Sequence, residues 1–450
     1  MWYTIFEKTK GWVPMEKSKK TKFYLALVIF SLVGQIAWVI ENMYFNVFIY
    51  EMFNASAADI SAMVSASAVS ATLTTVIVGA LSDKLGKRKI FISFGYILWG
   101  ISILAFTLVK ADIVSAVFPM AASASAICIT LTIVLDCVMT FFGSSANDAC
   151  FNAWLTDSTD GTNRGRAEGI NSMMPLIAIL AVFGGFMSFD LSLESSWTLI
   201  FAIIGTAVIA IGVLGMFIIE EPQLCSDENK NFLGNIVYCL RPSVIKENGR
   251  LYASLIGFAI FGISIQIFMP YLILYYTVSL KMENYVLIMA PAIILAAVFT
   301  AIWGGVYDKI GFKRSVYPSV GLLVLGYVIL VLWKTTVPVF IGSLFMMCGY
   351  LSGSAVFGAI IRDNTPENRS GMFQGIRILC QVLLPGVIGP AISVFVLRDA
   401  EQVLNDDGTT SFIPNEKIFI AALIAILALA AYLTVYFLLT KKEKKNGKAS

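Results

Sequence analysis

The chain contains no histidine, and Asp, Glu, Lys and Arg together make up only 14% of its 450 residues. A soluble domain holds about a quarter. Without imidazole there is no His-based metal site and no histidine proton relay. The seven cysteines are scattered, with no CxxC pair. Most (Cys128, Cys137, Cys150, Cys348, Cys380) fall in apolar runs and read as buried small hydrophobes. No nucleophile–base pair, metal cluster or nucleotide loop is visible, and the glycines lie within apolar segments and turns. An enzyme is therefore not expected, nor a cofactor, nor nucleic acid as a partner. A cleavable leader is not expected either. The first apolar run begins near Phe23, behind a lysine-rich arm, and is too long for a signal segment.

What fills the chain is apolar: 58% of residues are hydrophobic and mean hydropathy is +0.80. The apolar residues come in runs of about 20 or more, the length that crosses a bilayer as helix. Twelve spans are predicted, at roughly 23–51, 58–82, 89–110, 126–156, 167–189, 196–220, 251–279, 284–307, 314–334, 336–361, 371–397 and 416–440. Residues 111–125, rich in Ala and Ser, read as an outer loop. An even count puts both termini on one side. The arm before the first span, the tail and alternate loops collect nearly all the Lys and Arg (among them Lys84, Lys87, Arg88 and Lys89, and Lys309, Lys313 and Arg314). Basic loops stay cytoplasmic, so both termini are expected in the cytoplasm and the chain in the cell (plasma or inner) membrane.

The chain also repeats itself. Gly79-Ala-Leu-Ser-Asp-Lys-Leu-Gly-Lys-Arg-Lys89 follows the second span. Gly304-Gly-Val-Tyr-Asp-Lys-Ile-Gly-Phe-Lys-Arg314 follows the eighth. Asp308 trails Asp83 by half the chain. A second echo follows the fourth span of each half: Asn163-Arg-Gly-Arg-Ala-Glu-Gly169 and Asn368-Arg-Ser-Gly-Met-Phe-Gln-Gly375. This reads as a duplication: a six-helix bundle at 23–220, a linker at 221–250, and a second bundle at 251–440. Arm 1–22 and tail 441–450 flank them. Phe232, Leu233, Ile236, Val237 and Leu240 recur in the linker at helical spacing, as in a helix lying on a membrane surface.

These paired loops resemble the signature of the major facilitator superfamily. The resemblance covers nearly the whole chain and implies an all-α membrane fold of twelve transmembrane helices in two pseudo-symmetric bundles. It further implies that the bundles rock about a central site to give alternating access. Gly79 and Gly304 would permit close helix packing, and Gly86 and Gly311 a tight reversal. Asp83 would face the start of the eleventh helix, near Ser370–Phe373, and Asp308 the start of the fifth, near Arg166–Glu168; a helix N-terminus favours a negative charge. Arg88, Arg164, Arg314 and Arg369 complete this gating set.

Substrate and coupling ion are sought among polar residues inside the spans, which are costly there and face a cavity or a partner. Span 1 carries Gln35, Trp38, Glu41, Asn42 and Asn46. Gln35, Asn42 and Asn46 share a helical face, and Glu41 is turned from Asn42 by about 100°. A mid-span acid flanked by aromatics is expensive to keep charged and could carry a proton across. Span 4 carries a stripe of Asp136, Thr140, Ser144 and Asn147, and a pair, Asp148 and Asn152, one turn apart. At 1.5 Å per residue the two aspartates are about 18 Å apart, too far to share one cation. Gln374, Arg377 and Gln381 share a face of span 11. Arg377 is expected to pair with an acid, Asp148 being one choice. Gln266, Tyr271, Tyr275 and Tyr276 of span 7 would suit sugar faces and hydroxyls, or form an interfacial belt. The Ser and Thr residues of span 2 read as helix-packing contacts.

Asn147-Asp-Ala-Cys-Phe-Asn-Ala-Trp154, with Asp157 and the loop after it, is similar to helix 4 of the glycoside–pentoside–hexuronide:cation symporters, the melibiose and sucrose carriers. Arg362-Asp-Asn-Thr-Pro-Glu-Asn-Arg369 resembles that group as well. The likeness puts Asp148 on an aspartate that serves cation and sugar there. The chain departs from the sodium-coupled members. It has no acid in the second span, Gln35 stands where a sugar-binding aspartate is expected, and Pro385-Gly386 stands near the place of a lysine. The expectation is a monomeric symporter of a sugar or glycoside, coupled to H+ rather than Na+. The alternatives are a proton-driven exporter of drugs or metabolites and a symporter of organic or amino acids. Exporters often carry Gly-Pro-x-x-Gly-Gly in helix 5, and Pro175 to Gly185 lacks it. A sensor on the same scaffold would need a signalling domain, which neither terminus supplies.

Overall fold

A computed structural model describes residues 17–119, 123–159, 163–222, 238–282, 284–366, 370–404 and 410–446. Twelve helices long and apolar enough to cross a membrane run at Lys20–Phe53, Ala57–Leu85, Lys89–Leu108, Ala124–Asp157, Gly165–Phe186, Glu194–Ile218, Gly249–Ser279, Tyr285–Ile310, Phe312–Leu332, Thr336–Asn364, Gly375–Leu397 and Lys417–Leu439. These are spans 1 to 12. Helix is the only open-ended way to satisfy backbone groups in lipid. Large apolar side chains point outward, as lipid allows: Phe217 is 72% and Phe395 78% exposed.

The packing pattern of the first six spans recurs in the second six. Span 1 packs on 5 and 6 as span 7 packs on 11 and 12. Span 3 packs on 4 and 6 as span 9 on 10 and 12, and span 2 on 4 as span 8 on 10. The halves meet through the matching pairs 2 with 11 and 5 with 8.

Four of the twelve spans contain π-helical turns that residue spacing did not predict. Span 1 contains one at Ile40–Tyr44, span 4 one at Ser144–Phe151, span 7 one at Tyr275–Ser279 after a 3-10 turn at Met269–Tyr271, and span 11 one at Leu379–Leu383. Residues 111–125, expected as a plain loop, hold a short helix, Ala111–Val117. The loop before span 12 carries a two-stranded hairpin, β1 (Gln402–Leu404) against β2 (Thr410–Phe412). The linker residues Phe232, Leu233, Ile236 and Val237 lie outside the described residues. A short helix, Pro242–Glu247, leads into span 7.

Among the described residues, cross-half hydrogen bonds are confined to the half of the molecule away from the termini. At that far end Tyr44 Oη meets Tyr285 Oη at 3.0 Å, and Tyr271 Oη donates to the Ala57 carbonyl at 2.9 Å. Tyr50 Oη donates to the Phe412 carbonyl at 2.7 Å, and Ser411 Oγ to Asn54 Oδ1 at 2.9 Å. Further in, Ser65 Oγ donates to the Gly386 carbonyl at 3.3 Å. Among the described residues, none of the hydrogen bonds or ion pairs joins the halves at the end that carries the termini. Among the described residues the halves are hydrogen-bonded to each other at one end and not at the other.

Candidate functional site

Between the halves, at mid-depth, lies a cavity of about 520 Å³, within the range of small-molecule sites. Spans 1, 2, 4, 5, 7, 8, 10 and 11 line it; spans 3, 6, 9 and 12 do not. Its polar wall contains Gln35, Trp38, Glu41, Asn42, Ser67, Asp136, Thr140, Asp148, Gln266, Tyr350 and Gln381. Every carboxylate comes from the first half. The second half contributes only neutral side chains, and no Lys or Arg lines the cavity.

The π turns explain much of this set. A π turn adds a residue to the turn and rotates the rest of the helix by about 100°. On span 1 both Glu41 and Asn42 consequently reach the cavity, and Asn46, expected on the face of Gln35 and Asn42, does not. Asn46 is fully buried, and its Nδ2 donates to the Asn42 carbonyl at 3.1 Å. On span 4 the wide turn brings Asp148 to the same cavity as Asp136, with Ser144 Oγ donating to Asp148 Oδ2 at 2.9 Å. Asn152 stays outside, exposed, with its Nδ2 on the Asp148 carbonyl at 3.1 Å.

Glu41 is the most tightly held acid. Its Oε1 accepts from Ser67 Oγ at 2.7 Å and from Thr140 Oγ1 at 2.8 Å, and those hydroxyls lie 2.9 Å apart. Its Oε2 is buried without a partner, as is Oδ1 of Asp136. Ser67, read from sequence as packing only, is thus part of the wall. Only its mid-span depth, opposite Glu41, marked it among the other hydroxyl residues of span 2. Trp38 presents its ring to the cavity and is braced from behind. The Trp99 ring lies 5.0 Å away, and Trp38 Nε1 points to Asn147 Oδ1 at 3.4 Å. Asn147 in turn donates to Tyr96 Oη at 2.6 Å, and Tyr96 to the Phe30 carbonyl at 2.7 Å.

Several expected residues lie elsewhere. Tyr275 is buried against span 9, donating to the Leu330 carbonyl at 3.3 Å, and Tyr276 pairs with Ser343 Oγ at 2.6 Å. With Tyr271 bonded across the halves, these tyrosines hold the far end together. Arg377 forms no ion pair with Asp148 among the described residues; it donates to Gln381 Oε1 at 3.3 Å, one turn beyond the lining. Tyr350 faces the cavity from span 10 and carried no sequence signal beyond being a tyrosine. The side chain of Gln374 lies outside the described residues.

The paired signature loops are unequal. Gly86 (φ +61°) and Gly311 (φ +72°) both sit where glycine is favoured. In the first loop Arg88 is buried and bonded to Asp83 and Ser82, and its Nε reaches Asp157 Oδ2 at 3.1 Å. Glu221 caps the start of span 3 through the Lys89 amide at 3.2 Å. In the second loop Asp308 and Arg314 are exposed and unpaired among the described residues; Tyr307 instead donates to Asp363 Oδ2 at 2.7 Å. Asp83 is thus engaged by Arg88 of its own loop; the side chains of Ser370–Met372, which it was expected to face, lie outside the described residues. Gly79 and Gly304 do not serve close packing. A side chain on Gly304 would meet nothing within 4 Å, and one on Gly79 only Ala149 at 3.9 Å. The Arg164 side chain and Arg369 lie outside the described residues.

No curated protein sequence matches the chain. Among solved structures it is similar to the D-xylose-proton symporter (14% identity, 92% of this chain and 97% of that one, TM-score 0.70). It is similar also to the nucleoside transporter NupG (12%, 92% and 98%, 0.66). A bacterial homolog of the human lysosomal transporter Spinster, inward-facing and unoccupied, aligns at 16% identity over 93% and 96%, TM-score 0.67. At such identities the likeness establishes the fold. A model of the Major Facilitator Superfamily matches residues 23–390. With two matching six-span halves around a mid-depth cavity, the chain belongs to the Major Facilitator Superfamily.

Proposed function

We propose that the protein is a secondary active transporter that imports a sugar or glycoside together with a proton. The observation that carries this reading is the composition of the cavity: three carboxylates, four side-chain amides, a braced indole and no basic residue. Amides can exchange hydrogen bonds with sugar hydroxyls, and an indole face offers an apolar platform. Buried carboxylates with no cationic partner need a proton or a cation to be tolerated. The helix 4 likeness and Asp148 support the glycoside–pentoside–hexuronide:cation branch. The likeness to a D-xylose-proton symporter is in keeping with this reading.

Alternating access would proceed by rocking of the halves 23–220 and 251–440, as a monomer. In the state described, the cavity would face the cytoplasm, by the basic loops at the end where, among the described residues, no hydrogen bond joins the halves. Closing that end would bring Asp83 and Asp308 to the opposite half.

The test is uptake into proteoliposomes with an imposed pH gradient, across a panel of sugars, glycosides, organic acids and amino acids, with and without sodium. Wild type is expected to concentrate a sugar or glycoside without sodium. Glu41→Gln and Asp148→Asn, made separately, are expected to lose accumulation and keep some exchange. Accumulation only of acids or amino acids would refute the sugar, and proton-driven extrusion would assign the exporter instead.

A further inference from the structure

Glu41 and Asp136 are 6% and 2% exposed, and both line the cavity. Asp136 stands one helical turn before Thr140, whose hydroxyl bonds Glu41 at 2.8 Å, and Glu41 is the charge that acts on Asp136. The two hydroxyl donors in reach, Ser67 and Thr140, both serve one oxygen, Glu41 Oε1. That leaves Glu41 Oε2 and Asp136 Oδ1 buried with no donor. A buried carboxylate oxygen without a donor is costly, and two adjacent anions without a counter-ion more so. A single proton answers both deficits: on one orphan oxygen it supplies the hydrogen bond the other lacks and removes one of the two charges.

We infer that Glu41 and Asp136 form one shared proton-binding site, held in register by Ser67 and Thr140. The proton sits on one carboxyl and is donated toward the other, so the pair titrates as a unit. The groups facing it are few. Asp148 lies on the same wall, a turn beyond Ser144, and its charge acts on Glu41. Cys137 adjoins on span 4. Among the described residues Tyr350 is the sole titratable side chain that lines the cavity from the second half, and Arg377 lies one turn outside the lining. Ser67 and Thr140 are positioning residues, acting through the Glu41 carboxylate. The inference rests on the proton-coupling part of the function proposed above and assigns where that proton is held. It does not depend on which substrate moves.

The experiment counts protons bound by the purified, substrate-free protein, using a pH-indicator dye during small acid additions, with infrared difference spectra to read protonated carboxyls. Wild type, Glu41→Gln, Asp136→Asn, the double variant and Asp148→Asn are compared. One uptake step is expected to vanish in each of the first two variants, the double losing no more than either single. In Asp148→Asn that step persists. Ser67→Ala is expected to move its midpoint while leaving the proton count at one, which mere loss of packing would not do. Two independent losses that add in the double variant would overturn the shared site. So would a step that only Asp148→Asn removes, or a Ser67→Ala titration that matches wild type. Retained monodispersity on size exclusion identifies variants that are folded. Because no substrate is present, loss of sugar uptake with an intact proton step would fault the substrate assignment alone.

Discussion

Removing the hydroxyl of Tyr44 should open the far end, and the structure says by how much. Tyr44 is fully buried and Tyr285 is 6% exposed. Their hydroxyls bond each other across the halves at 3.0 Å. Tyr44→Phe keeps the ring, with its neighbours Phe186 at 4.2 Å and Phe183 at 6.0 Å, so packing is preserved. It strands the Tyr285 hydroxyl in a dry interface, a loss of about 1–3 kcal/mol. When the end opens, water reaches that hydroxyl and the penalty disappears. The closed-to-open ratio should therefore fall by about 5- to 150-fold, at 1.36 kcal/mol per factor of ten. Tyr44→Phe with Tyr285→Phe removes both polar groups, and replacing both partners by apolar ones is nearly neutral. The double variant should recover much of the closed population. Spin labels at Leu193 and Val337, both exposed at this end, report the separation by pulsed dipolar spectroscopy. A distance distribution in Tyr44→Phe that matches wild type would refute the reasoning, as would a double variant more open than the single.

Gly386→Val should be disruptive, because a Cβ at Gly386 would stand 2.5 Å from the Ala68 Cβ. Spans 2 and 11 must separate, and thermal unfolding in detergent should show a clear loss of stability. Unchanged unfolding would mean that the contact is slack. Arg88→Ala should cost about 3 kcal/mol, since it strips two carboxylates of a buried partner. Arg314→Ala should stay within about 0.5 kcal/mol, and equal losses in calorimetry would contradict the inequality of the two loops. Trp38→Ala should weaken substrate binding at least about tenfold, a shift of about 1.4 kcal/mol. Trp38→Phe should retain most of it, as read by titration calorimetry with the substrate identified from the uptake panel.

The spans were legible because lipid leaves the backbone few choices, and runs near Phe23, Gly249 or Lys417 can only be helices there. The duplication was legible because Asp83 and Asp308 sit in matching loops. Cavity residues on regular helix, such as Gln35 and Asp136, were equally open to helical arithmetic. That arithmetic failed where the helix is not α. The π turn at Ile40–Tyr44 dislodged Asn46 and admitted Glu41 together with Asn42. No local signal announces such a turn, because tertiary packing sets it. Ser67 and Tyr275 were misread for a different reason. Hydroxyls and tyrosines are common both in packing and in binding, and only the partner across the gap decides between them. The hairpin near Phe412 is too short and polar to stand out from a loop.

The carboxylates that line the cavity all belong to one half, and the other half faces them with neutral groups. If the halves rock as proposed, the aqueous access to that charge changes sides, and with it the part of the membrane's electric field that falls across the charge. Moving one elementary charge across 100 mV is worth about 2.3 kcal/mol, comparable to the hydrogen bonds that hold the far end shut. The unloaded carrier would then feel voltage when its acids are bare and feel it less once they are neutralised. Membrane potential, and not the pH gradient alone, would set how fast the empty protein resets.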